Sequence, residues 1–151
     1  MSDSVFWIYA SNHTVLALVV SGSYKSSNID FLTPNSFGQQ IAYMSRPQGE
    51  IIQAHIHEPV QRNLIGTQEV LLIRSGRVRV DFYESDQSYV CSYVLEAGDL
   101  MLLNEGGHGF EILEDTDMIE IKQGPYMANK DKTRFTPKLH ELVMATENMV
   151  Q

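Results

Sequence analysis

His55-Ile56-His57 closes the run Glu50-Ile51-Ile52-Gln53-Ala54-His55-Ile56-His57, whose isoleucine-rich pattern predicts a strand. On a strand, residues i and i+2 point to the same face, so both imidazoles would offer nitrogen in one direction. Two such donors suit a first-row divalent ion such as Fe, Mn, Ni, Cu or Zn. A bare His-x-His pair has an equally simple structural meaning, two surface histidines on a polar face. A third histidine, His108, is followed by Phe110 and Ile112, and on a strand it shares their apolar, inward face. An inward imidazole requires a hydrogen-bond partner or a metal, because an unsatisfied buried nitrogen costs about 1–3 kcal/mol.

Three further side chains are weaker candidates for catalytic work. Met118, Glu120 and Lys122 share one strand face, and Glu120 with Lys122 makes an acid–base pair in reach of one substrate. The commoner meaning of such a pair is an exposed ion pair. Arg62 is suited to an anionic group, as is the cluster Asn129-Lys130-Asp131-Lys132-Thr133-Arg134, although stretches of this kind are more often solvated. Gln40 and Tyr43 are candidates for a pocket wall. Cys91, between Val90 and Ser92 with no base nearby, reads as packing.

What must position these residues is one domain's worth of chain. At 151 residues with 43% hydrophobic and 20% charged, the composition is that of a globular domain. The longest apolar run, Val15 to Val20, is far shorter than the ~20 residues of a membrane-spanning helix, so no membrane role is expected. The start Met1-Ser2-Asp3-Ser4 lacks the basic flank of a secretory leader, and a lone cysteine cannot form an internal disulfide. Both predict a reducing, cytoplasmic setting. Eleven acidic residues and no Lys or Arg fall between Asp81 and Glu120, leaving 8 acidic against 11 basic residues elsewhere, a net +3. Without a large basic cluster to neutralise phosphates, no nucleic-acid partner is expected.

Period two dominates the middle of the chain. In Gly76–Tyr83 the residues Val78, Val80 and Phe82 alternate with Arg77, Arg79 and Asp81, which predicts a half-buried strand with the charges toward water. Val70–Ile73, Tyr89–Leu95, Leu100–Leu103, Phe110–Leu113 and Met118–Gln123 are further strands bounded by turn residues. Val5–Ala10 and Val15–Val20 form an N-terminal pair, and residues 21–36 read as a loop. Thr136-Pro137 signals a helix start, with Leu139, Leu142, Val143 and Val150 near helical spacing. Strands at this spacing predict an all-β sandwich or barrel.

The placing of Gly49, His55, His57, Glu69 and Gly76, followed by Gly98-Asp99, Gly106 and His108, resembles the two motifs of the cupin superfamily across residues 49–110. The resemblance implies a jelly-roll barrel, or double-stranded β-helix, over residues 37–125 of one domain. Residues 1–36 would extend it with N-terminal strands, and 126–151 would be a tail with a short C-terminal helix. It implies one divalent transition metal held by His55, His57, Glu69 and His108. Two departures stand out. Eleven residues separate His57 from Glu69, where the family has three or four, so Glu58 or Gln68 could take the carboxylate's place. The second motif's usual proline gives way around Asn104-Glu105.

The function this implies is a metal-dependent oxidoreductase or isomerase acting on a small oxygen-rich molecule. The alternative is a non-catalytic barrel that holds a small ligand or sugar, including an accessory role in carbohydrate or polysaccharide biosynthesis. A homodimer is expected because Val15–Val20 is apolar on both faces and both need cover.

Overall fold

The computed structural model describes residues 4–27, 29–127, 131–138 and 149–150. The chain forms two compact units: one from the stretch up to Tyr24 together with the chain from Thr67 onward, the other from Lys25 to Gly66. In chain order the strands are β1 Val5–Tyr9, β2 Val15–Val20, β3 Ile29–Phe31, β4 Ala42–Met44, β5 Glu69–Ser75 and β6 Arg77–Tyr83. Then come β7 Tyr89–Glu96, β8 Leu100–Leu103, β9 Gly107–Ile112, β10 Asp117–Lys122 and β11 Met149–Val150. The fold is all-β, and no helix occurs among the described residues. The expected helix after Thr136 does not begin within residues 136–138, and its positions 139–148 lie outside the described residues. Met149–Val150 runs parallel to β7.

In the first unit a five-stranded sheet, β1-β2-β8-β5-β10, faces a four-stranded one, β11-β7-β6-β9. Every other strand pairing is antiparallel. Leu16, Val19, Leu71, Ile73 and Met101 from the first sheet meet Val78, Val80, Phe82 and Leu95 from the second in one core. Burying each such side chain contributes about 1.5–3 kcal/mol. Leu18, Val70 and Leu102 alternate with those core residues and are buried too, so the middle of the larger sheet is covered on both faces. Both faces of Val15–Val20 are thus covered in the single chain, and the reason given for a dimer no longer requires a second copy.

Sequence period misjudged the outer face of β6. Arg79 and Asp81 are buried, not solvated. Arg79 forks onto Asp81 (2.8 and 3.1 Å), Ser92 Oγ donates to the same carboxylate (2.5 Å), and Glu111 caps the guanidinium at 2.7 Å. Alternation cannot distinguish charged residues facing water from ones buried and neutralised by partners on their own and neighbouring strands.

The four motif glycines, Gly49, Gly76, Gly98 and Gly106, all have positive φ. Two of them also lack room for any side chain. A Cβ on Gly76 would run into the Asp115 carbonyl, and one on Gly106 would lie 2.6 Å from both Leu16 Cδ2 and the Tyr83 carbonyl.

The second unit is a short hairpin and a long irregular segment. β3, which lies where residues 21–36 were expected to form a loop, pairs with β4, and the pairing extends through Leu32 N–H to the Ile41 carbonyl (2.8 Å). Residues 45–68 contain no strand, so the expected strand Glu50–His57 is absent as a hydrogen-bonded element. A strand needs a neighbour to satisfy its backbone, and apolar pattern alone does not supply one.

Candidate functional site

Glu69 opens β5, and its place there follows from register. It lies opposite Leu103 of β8 on one side and Lys122 of β10 on the other. Cross-strand partners point to one face, which brings Lys122 Nζ to 3.4 Å from Glu69 Oε1. Lys122 also reaches Glu120, two residues back on the same face, at 2.7 Å. The Tyr126 ring lies 5.7 Å from the ammonium.

His108 comes from the facing sheet. It lies opposite Phe82 on β6, as Phe110 and Ile112 lie opposite Val80 and Val78, so all three face the interior as their spacing predicts. Because β9 is an edge strand, that interior is open: Phe110 and Ile112 are 40% and 52% exposed. Across the opening His108 Nε2 lies 3.2 Å from Glu69 Oε2. The Glu69 side chain retains 15% of its exposure and His108 31%, so the pair is reachable from solvent. The hydrogen bond from His108 holds the Glu69 carboxyl below the usual carboxylate range, against the opposing effect of burial; the charges of His108 and Lys122 act in the same direction as that bond. Lys122 is held above its ordinary value, first by its bond to Glu120.

Gln68, the residue before Glu69, turns to other partners. Gln68 donates through Nε2 to Asn104 Oδ1 (2.6 Å), and its backbone N–H donates to Gln123 Oε1 (2.8 Å). Asn104 in turn donates to the Val15 carbonyl (2.9 Å). This amide chain ties the entry to β5 to the ends of β2, β8 and β10, and it leaves Glu69 as the group beside His108. Sequence reasoning missed both the amide chain and the Lys122–Glu69 contact. Each depends on which strands are neighbours, and residue spacing along one strand carries no such signal.

His55 and His57 belong to the second unit and are exposed. Their rings sit 5.0 Å apart, edge to face. Nδ1–H of His55 donates to the Gln53 carbonyl (3.0 Å), which in the neutral ring leaves Nε2 with the lone pair. Among the described residues of each unit, no three His, Cys, Asp or Glu side chains gather at metal-binding distance. Glu58 is exposed in the same segment, and Arg62 lies beyond it. Cys91 packs against the core, and burial pushes its thiol up, as a packing role implies. Comparison with protein-family models, with curated proteins and with solved structures finds no match to this chain.

Proposed function

We propose that the chain holds one divalent transition-metal ion through His55, His57, Glu69 and His108 and works on a small oxygen-rich molecule. The observation that carries this reading is the Glu69–His108 pair. A carboxylate kept ionised and an imidazole from the opposite sheet converge at the open side of the sandwich. Their donor chemistry fits a first-row ion, as does the His55 Nε2 lone pair. When bound, such an ion supplies Lewis acidity or oxygen activation. The chain's own contribution is to orient: β5 and β9 fix Glu69 and His108 by register, and Lys122 places a positive charge beside the carboxylate for an anionic substrate group.

The reading includes closure of the two sheets into a jelly-roll barrel, with Glu50–His57 as the strand that lines the open side. Supporting it, Ile51, Ile52 and Ile56 are exposed, and so are the inward residues Phe110, Ile112 and Met118. Burying one apolar set on the other would remove both from water. Association as a homodimer belongs to the same proposal, now resting on the exposed edge strands β9 and β10, and light scattering should then give twice 17.1 kDa.

Metal analysis after loading with Fe, Mn, Ni, Cu or Zn and dialysis tests the reading. About one equivalent per chain is expected, with loss in the His55→Ala/His57→Ala double variant. Glu69→Gln should weaken retention strongly, and Glu58→Gln and Gln68→Ala only slightly. Retention of no metal by the wild type would rule the reading out.

A second reading, a module that holds a ligand without turnover, is favoured by one contact. Lys122 already stands 3.4 Å from Glu69, so that carboxylate has a counter-charge beside it without an ion. Under that reading a ligand stabilises the metal-free protein and is recovered unchanged.

A further inference from the structure

The second unit contains a cavity of about 580 Å³ between the β3–β4 loop and the segment at Arg62-Asn63-Leu64. This volume falls within the range of small-molecule sites, roughly 300–1,000 Å³. One wall is fixed by the hairpin. Thr33, the only buried side chain among the unit's described residues, accepts the Ile41 N–H at 3.0 Å, and the Phe37 N–H returns to the Pro34 carbonyl at 3.1 Å. Gln40 Nε2 donates to Asn35 Oδ1 (3.2 Å), so these two amides brace each other along that wall.

The other wall carries Arg62. Among the described residues it makes no ion pair, and its hydrogen bond to the Val60 carbonyl is long, at 3.5 Å. An arginine with no carboxylate partner among the described residues, in a chain of net charge −8, is suited to receive an anion at the edge of a cavity. Around it are the amides of Asn35, Gln40 and Asn63 and the Ser36 hydroxyl, groups that both donate and accept, as hydroxyl groups of a ligand do. Phe37 adds a flat apolar surface for C–H groups.

We infer that this cavity binds a small hydroxylated carboxylate, with Arg62 on the carboxylate and the Asn35–Gln40 wall on the hydroxyls. The inference stands apart from the metal reading, since none of the lining residues is a candidate ligand. Gluconate and its neutral analogue sorbitol isolate the two kinds of recognition, and they can be titrated into the full-length protein with backbone amide shifts as readout. Gluconate should bind saturably, shifting residues 35–40 and 62–64, while sorbitol binds about tenfold more weakly or worse, the scale of one charged hydrogen-bonded pair. Arg62→Ala should abolish the difference between them and Arg62→Lys should restore part of it. Arg46→Ala, which removes an exposed arginine already paired with Glu50, should change nothing. Equal binding of sorbitol would overturn the inference, as would inorganic phosphate competing as well as gluconate, or shifts centred on His55, His57 or His108.

Discussion

The two units hold opposite halves of the candidate metal set, and they hold them differently. In the first, Glu69 and His108 sit on strands whose every neighbour is specified, in the unit that contains all the buried hydrophobic side chains among the described residues. In the second, His55 and His57 sit on a segment without ladder hydrogen bonds, and among the unit's described residues only Thr33 is buried. The difference teaches that a donor atom's position is inherited from its backbone. Where register fixes the strand, the side chains are preset. Where no neighbouring strand exists, no ladder presets the backbone, and position rests on local contacts such as the His55–Gln53 hydrogen bond.

Core truncation is the strongest way to test that contrast. Phe82→Ala, which removes a fully buried side chain of β6, should cost about 3–5 kcal/mol in urea unfolding. Ile56→Ala, at 89% exposure in the second unit, should change stability by less than about 0.5 kcal/mol. A cost above ~1 kcal/mol at Ile56 would break the comparison, and would mean that Glu50–His57 packs in solution as the closed barrel requires.

Nearly as large is the effect expected of Asp81→Ala. It strips the buried Arg79 of its forked partner and Ser92 of its acceptor, which should cost about 3 kcal/mol. The exposed pair Arg46–Glu50 provides the counterpart in the second unit. Glu50→Gln should cost no more than ~0.5 kcal/mol, because an ion pair of the same type in water contributes little. Similar values for the two variants would show that burial is not what separates the units.

Between these lies Gly76→Ala, expected to cost about 1–3 kcal/mol through its positive φ and the Asp115 carbonyl. Gly49→Ala has the same φ problem but open space around it, so it should cost less, and an inversion of this order would refute the steric account. The smallest effect concerns Cys91. Burial raises its thiol, so modification by a thiol reagent at neutral pH should be slow in the folded protein and rapid in urea. Rapid labelling without denaturant would place Cys91 outside the packed side of the sandwich.

Most of the first unit was legible in the residues because its signals are local. Alternation marked Arg77–Tyr83, and continuous apolar runs marked Val15–Val20 and Leu100–Leu103. The facing of His108 with Phe110 and Ile112 followed from the same period. The strand expected at Glu50–His57 had an equally good local pattern, yet no ladder forms there, since pairing is a property of two segments and the sequence of one does not contain it.

Residue order alone thus determined the all-β class, the strands of the sandwich and which side chains share a face, because those follow from a backbone repeat of two residues. Only the tertiary structure decided that Lys122 lies against Glu69, that Glu69 rather than Gln68 meets His108, that Arg79 is buried against Glu111 of β9, and that Arg62 borders a cavity. Each of those is a contact between chain segments distant in sequence or lying on different strands. Its existence depends on sheet order and register, which arise when the whole core closes and are not written in any single strand.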